Sequence, residues 1–213
     1  MASSVKIKLT IRGQGGHGST PDKVRDPITA AAFVLTSLHT IQSRSINAFE
    51  DFVLTICHVD AGSTYNVFPD EAVMLGTIRV YNEAVKEKVI ERIGEIAESV
   101  AKAHGCKAEL ESLQGYPVLV NCPAETQSVL KVAREHFGEE WSAVLGNPRA
   151  GAEDFSYFLQ HRPGAFFFLG TGKPGTQLMT NHHSKMDFND HVLATGGFFW
   201  LKLLEERFAL QLI

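Results

Sequence analysis

The chain is poor in the features that mark several large protein classes. It has no basic run, and its 20 Lys and Arg stand against 24 Asp and Glu, a formal net charge of −4. Nucleic-acid binders need a concentrated positive surface, so no such partner is expected. No apolar stretch approaches the ~20 residues that span a bilayer, and no membrane association is expected. The opening Met1-Ala-Ser-Ser-Val-Lys6 lacks the hydrophobic core of a secretory signal. Cysteine is scarce: Cys57, Cys106 and Cys122 are scattered and odd in number, with no CxxC or CxxxH pair. That argues against a disulfide framework and a zinc knuckle, and reads as reduced packing thiols of a cytoplasmic protein. Gly170-Thr-Gly-Lys-Pro-Gly175 lacks the Lys-Ser/Thr ending of a phosphate loop, and no Gly-x-Ser-x-Gly elbow occurs.

What is present fills 213 residues, enough for one large domain or two small ones. Val5, Ile7, Leu9 and Ile11 alternate with Lys6, Lys8, Thr10 and Arg12, predicting a half-buried strand. Helical spacing follows from Asp26, as N-cap with Pro27 at the first helical position, to about Arg44. Strands are predicted over Asp51 to Val59 and Glu71 to Val80. A long amphipathic helix then starts at the Asn82 cap and ends at Gly105, and a strand runs from Lys107 to Ser112. This β-α-β-β-α-β order is the ferredoxin-like split unit, predicted for residues 1–115 of an α/β (α+β) chain. From 116 to 213 the pattern predicts a helix at Ala124 to Phe137, a short strand at Ser142 to Leu145 and a short helix near Glu153. A buried parallel strand is predicted at Gly164-Ala-Phe-Phe-Phe-Leu169, and a final helix from about Asp190. These are too few strands for a complete α/β sheet.

Candidate chemistry lies in the loops. Gly13-Gln-Gly-Gly-His17-Gly-Ser-Thr-Pro21 crowds glycines around one imidazole, either a structural loop residue or a working acid, donor or ligand. Asn181-His182-His183-Ser-Lys-Met-Asp187 precedes the last helix. Adjacent histidines point apart, so at most one is a metal ligand, with acids from elsewhere; otherwise this is a polar loop whose Asp190 caps the helix. Ala150-Gly151-Ala-Glu153-Asp154 brings two carboxylates to a helix start, where capping is the ordinary role. Asn66, in Tyr-Asn-Val-Phe-Pro69, joined with Arg79 would suit a substrate carboxylate, Arg supplying a planar fork of donors.

Taken in order, the His17 loop, Asp26-Pro-Ile, Tyr-Asn66-Val-Phe-Pro-Asp, Gly76-Thr-Ile-Arg79, Gly151-Ala-Glu153-Asp-Phe-Ser and His182-His-Ser-Lys-Met-Asp187 resemble the aminoacylase/carboxypeptidase family of di-metal amidohydrolases. The branch they resemble holds hippurate hydrolases, N-acetyldiaminopimelate deacetylases and auxin-conjugate hydrolases. The resemblance implies a lid, or dimerisation, domain through which a homodimer forms, followed by the C-terminal part of an α/β metallopeptidase catalytic domain. It implies that His17 crosses to the partner's active site and steadies the tetrahedral oxyanion, that Asn66 and Arg79 hold the substrate's carboxylate, and that Gly151 lines the pocket. His182 falls where a metal ligand is expected, and His183 takes the neighbouring non-ligand place. Two divalent ions, Zn or Mn, would serve the complete enzyme, which hydrolyses the amide of N-acylated amino acids. The other metal ligands and the catalytic Glu pair of the family have no counterpart here, so the isolated chain is expected to be silent. Asp22 and Ser184 stand where relatives often carry His and Pro. A carboxypeptidase or dipeptidase on the same fold, or a non-catalytic dimerisation module, are the other readings.

Overall fold

Along β1 (Val5–Arg12), Val5, Ile7, Leu9 and Ile11 are buried while Lys6, Lys8 and Arg12 are exposed, as their alternation dictates. On β5 (Glu71–Val80) the buried set is Ala72, Met74, Ile78 and Val80. The two strands pair antiparallel with Val5 opposite Ile78 and Arg12 opposite Glu71. β6 (Lys107–Gln114) flanks β1, and β3 (Phe52–Asp60) flanks β5, giving the sheet order β3-β5-β1-β6. A register shift between Ile56 and His58 leaves Cys57 as the extra residue of the edge strand β3.

Two helices cover the inner face. α1 (Pro27–Leu38) contributes Ala30, Ala31, Val34 and Leu38, and α3 (Glu83–Ala103) contributes Val85, Val89, Ile93, Ala97 and Ala101 to one core cluster. Each fully buried Leu, Ile or Val adds roughly 1.5–3 kcal/mol. The caps are as predicted: Asp26 accepts from the Ile28 amide at 2.8 Å, and Asn82 from the Ala84 amide at 2.9 Å. Past α3, the Cys106 amide bonds back to the Ala101 carbonyl at 2.9 Å, closing the helix at Gly105. The helix predicted from Asp26 to Arg44 breaks at His39, after which α2 (Thr40–Arg44) runs on. Ser37 and Thr40 hydroxyls bond back to the Phe33 and Ser37 carbonyls across the break. This is the ferredoxin-like arrangement.

The computed structural model describes residues 1–173, 175, 179 and 181–213, which divide into two units. The first is Met1–Leu119 with Asn147–Phe158, and the second Val120–Gly146 with Leu159–Ile213. In the first, the 147–158 segment lies against the N-terminus: the Ala2 amide bonds the Arg149 carbonyl at 3.0 Å, and the Tyr157 hydroxyl the Gly115 carbonyl at 3.1 Å. In the second, α4 (Pro123–Phe137) and α6 (Val192–Phe208) bury Leu130, Val132 and Phe199, with Phe137 and Phe167 packed edge-on against Phe199. The strands predicted at 142–145 and 164–169 do not form. A strand needs a ladder partner, and none is at hand among the described residues of this unit. Instead the Asn121 side chain accepts from the Phe166 amide at 2.9 Å and donates to its carbonyl at 2.8 Å. The Gly170 to Gly175 loop lies partly outside the described residues.

Candidate functional site

Where β1 and β5 meet at Arg12 and Glu71, two loops leave the sheet and clip together. β2 (Gly16–His17) pairs antiparallel with β4 (Val67–Phe68), Gly16 opposite Phe68 and His17 opposite Val67. The Gly18 amide bonds the Asn66 carbonyl at 2.8 Å, the Gly13 amide the Asp70 carbonyl at 2.8 Å, and the Gly15 amide the Asp70 Oδ1 at 2.8 Å. The glycines are there for close approach: a Cβ on Gly15 would sit 2.5 Å from the Phe68 carbonyl oxygen, and one on Gly16 2.6 Å from Val24 Cγ1. His17 and Asn66 thus become neighbours on one ribbon, both exposed.

The ring of His17 is oriented. Its Nδ1 accepts the Ser19 amide hydrogen at 3.2 Å and lies 2.8 Å from Ser19 Oγ, while its own carbonyl takes the Thr20 amide and hydroxyl at 3.0 and 3.1 Å. A nitrogen that accepts an amide hydrogen carries no proton, so the neutral ring holds its proton on Nε2 and offers it outward as a donor.

Arg79 is elsewhere. It stands on β5 opposite Val53, on the face away from the helices, eight residues beyond Glu71, or about 27 Å along the strand. Gly151 shares that end of the unit: a Cβ there would touch Met1 Cε at 3.5 Å, and the Ser3 amide bonds the Val80 carbonyl at 2.8 Å. Asn66 and Arg79 therefore do not converge within one chain. Neither backbone strain nor crowding demands glycine at 151. Glu153 folds locally, its Oε1 taking the Asp154 amide at 3.1 Å and its carbonyl the Ser156 hydroxyl at 2.7 Å.

In the second unit His182 is exposed and left-handed, with φ 72°, a region histidine tolerates better than most residues. His183 turns inward on its own loop, Nδ1 accepting the Lys185 amide at 3.1 Å, and Asp187 pairs with Lys173. Asp190 does not cap α6 with its side chain; the helix starts from His191, and Asp190 gives only its carbonyl, to the Leu193 amide. Among the described residues no three His, Cys, Asp or Glu side chains converge where a metal ion could sit. Cys57 is exposed rather than packed, whereas Cys106 is buried, and burial followed by the nearby Asp26 charge raises its thiol pKa. No helix among the described residues is long and apolar enough to cross a membrane.

The motif reading passed over Ser19 and Asp70. Both sit inside the quoted motifs, but their contacts appear only when the two loops close on each other.

Residues 2–105 match the family model of the peptidase dimerisation domain. Thermostable carboxypeptidase 2 of Saccharolobus solfataricus is 36% identical over 200 residues, covering 92% of this chain and 50% of that protein. N-acetyl-L-cysteine deacetylase of Bacillus subtilis is 34% identical, covering 93% and 46%, and hippurate hydrolase of Campylobacter jejuni 30% identical, covering 95% and 52%. The chain spans about half the length of the curated relatives it matches. Among solved structures, the Bacillus subtilis YXEP protein, a dinuclear metal-binding peptidase of the M20 family, superposes with a TM-score of 0.74 at 26% identity, covering 95% of this chain and 49% of that one.

Proposed function

Since the chain belongs to peptidase family M20, with a peptidase dimerisation domain at residues 2–105, we propose that it is the lid and C-terminal catalytic portion of a metal-dependent hydrolase. The substrate class is an N-acylated amino acid, whose amide bond is cleaved, and the protein works as a homodimer in the cytoplasm. The observation that carries this reading is the clip that sets His17 beside Asn66, with Nδ1 of His17 taken by the Ser19 amide so that Nε2 is the nitrogen left to donate. A donor there suits an oxyanion, which needs a hydrogen bond at the moment charge develops, and does not suit a general base. Asn66, next to it, adds an amide donor. Relatives named as deacetylases and a hippurate hydrolase support the substrate class. Three unpaired cysteines fit a reducing compartment.

Arg79 and Gly151 mark the other end of the same unit. One small substrate does not bridge about 27 Å. In a dimer with two sites, each lid then serves two substrate molecules: His17 and Asn66 at the partner's site, Arg79 with its fork of donors at a carboxylate bound by Gly151. Among the residues of this chain His182 is the metal ligand we assign. One imidazole does not make a two-ion centre, and the donor set described above does not fit one by itself. The two ions, zinc or manganese, belong to the complete enzyme, and the chain alone is silent.

Elemental analysis after incubation with zinc or manganese and desalting tests the last point. Essentially no retained metal is expected, and close to two ions per chain would overturn it. In the complete enzyme, His17→Ala should lower kcat about 100- to 1,000-fold on hippurate or N-acetyl amino acids with little change in KM. An unchanged kcat would remove the oxyanion role. The carboxypeptidase relatives at 36% and 35% identity keep a second reading in view, a peptidase on the same fold. Faster turnover of dipeptides than of acyl amino acids would favour it.

A further inference from the structure

We propose that Val67 and Tyr65 are specificity-determining residues, giving the acyl group of the substrate an apolar contact beside His17 and favouring a benzoyl-sized acyl group over acetyl. Val67 stands directly opposite His17 on the ribbon of β2 and β4. Side chains directly opposite on an antiparallel pair leave the same face, their Cβ atoms about 4.5–5.5 Å apart. His17 is exposed, and Val67 beside it is 50% exposed. Tyr65 precedes Asn66, whose carbonyl is pinned by the Gly18 amide at 2.8 Å, and it is wholly exposed. A single apolar side chain in water is ordinary. Here two of them flank Asn66 on the segment clipped to the His17 loop, and neither belongs to the core cluster, so packing of the fold does not account for them. The substrate's chemistry says which arm they meet. An oxyanion develops on the acyl carbonyl, so a side chain next to its hydrogen-bond donor lies within reach of the acyl substituent. The amino-acid arm ends in a carboxylate, which Arg79 can pair and a valine cannot. The role of Val67 and Tyr65 therefore rests on that of His17 as the oxyanion donor.

The test is the ratio of kcat/KM for N-benzoylglycine to that for N-acetylglycine in the complete enzyme. Val67→Thr keeps a β-branched side chain suited to the ribbon but puts a hydroxyl in place of one methyl. It should lower the ratio roughly fourfold or more, the worth of one apolar carbon. Tyr65→Ala should lower it roughly three- to tenfold, the worth of an aromatic contact, and Tyr65→Phe should restore it. Two further measurements guard against a structural cause: sedimentation should show the same assembly as the unaltered enzyme, and the Gly18 amide should exchange at an unchanged rate. An unchanged ratio in both Val67→Thr and Tyr65→Ala would overturn the proposal. So would an equal fall for the two substrates, above all with a changed assembly, since that would place the residues in an interface between copies. An unaltered complete enzyme that hydrolyses neither substrate would instead remove the acyl-hydrolase function, and this role with it. An active enzyme with an unmoved ratio removes this role alone.

Discussion

Asp70 is the residue on which the two halves of the clip turn, and removing its carboxylate should open the clip without unfolding the sheet. Its Oδ1 accepts the Gly15 amide at 2.8 Å, while its backbone carbonyl, which a side-chain substitution leaves alone, accepts the Gly13 amide at 2.8 Å. Asp70→Ala therefore deletes one of four ties between residues 13–18 and 66–70 and keeps three. The bond is solvent-exposed, so its net worth is about 1 kcal/mol. That corresponds to about a fivefold rise in the fraction of time the clip is open. Asp70 lies outside the core cluster, so the loss in global stability should not exceed the same ~1 kcal/mol. Amide hydrogen exchange reads both quantities: Gly15, Gly16 and Gly18 should exchange about five times faster, and the amides of β1 and β5 should follow only the small global change. Asp70→Asn keeps an acceptor oxygen and should behave nearly as the unaltered chain. If Asp70→Ala leaves the clip amides as protected as before, or if Asp70→Asn is equally damaging, the clip is held by something other than this bond.

The sheet offers a sharper stability test at Gly76, where a Cβ would come within 2.6 Å of the Thr55 carbonyl oxygen and 2.8 Å of Ile56 Cδ1. Gly76→Ala should cost about 1–3 kcal/mol in urea unfolding, and a neutral result would mean that β3 and β5 part freely. Asn82→Ala removes the cap of the 21-residue α3 and should cost about 1 kcal/mol, whereas Asn82→Ser should recover most of it. Glu205 ties down the C-terminus, accepting from Lys202, Leu212 and Ile213, and these bonds, the Lys202 one foremost, lower its pKa to about 2. The unfolded carboxyl titrates near ~4.3, so its stabilising contribution is fully present above that pH and is lost as pH falls through about 2. Protection of the Leu212 and Ile213 amides should disappear over that window and be constant above it; constant protection down to pH 2 would contradict the assignment.

Legibility differed between the units for a physical reason. In the first, each element buries one face against another element of the same unit, so period 2 in β1 and β5 and period 3.6 in α3 could be read as strand and helix. The caps at Asp26 and Asn82 were legible because they are local. What stayed hidden was non-local: the four-point closure of 13–18 on 66–70, and the distance between Asn66 and Arg79. The two residues lie only thirteen apart in sequence, and a ten-residue strand carries them to opposite ends of the unit. Sequence proximity brings residues together across a turn and drives them apart along a strand.

The second unit misled the pattern reading because its apolar residues outnumber its internal partners. An apolar hexapeptide such as 164–169 predicts a buried strand on the assumption that a neighbouring strand exists. Here its Phe168 and Leu169 are exposed, and Asn121 alone supplies the hydrogen bonds a ladder would give to Phe166. α6 shows the same excess, with Phe199 buried but Leu193, Trp200 and Phe208 exposed. Val192 to Leu201 of this helix carry no charged side chain, as befits a stretch packed on more than one side. Relatives of twice the length, matched here over half their extent, carry additional chain that can meet such faces. The misread strand and the overly apolar helix therefore have one cause: the sequence of this unit is written for more neighbours than its described residues supply.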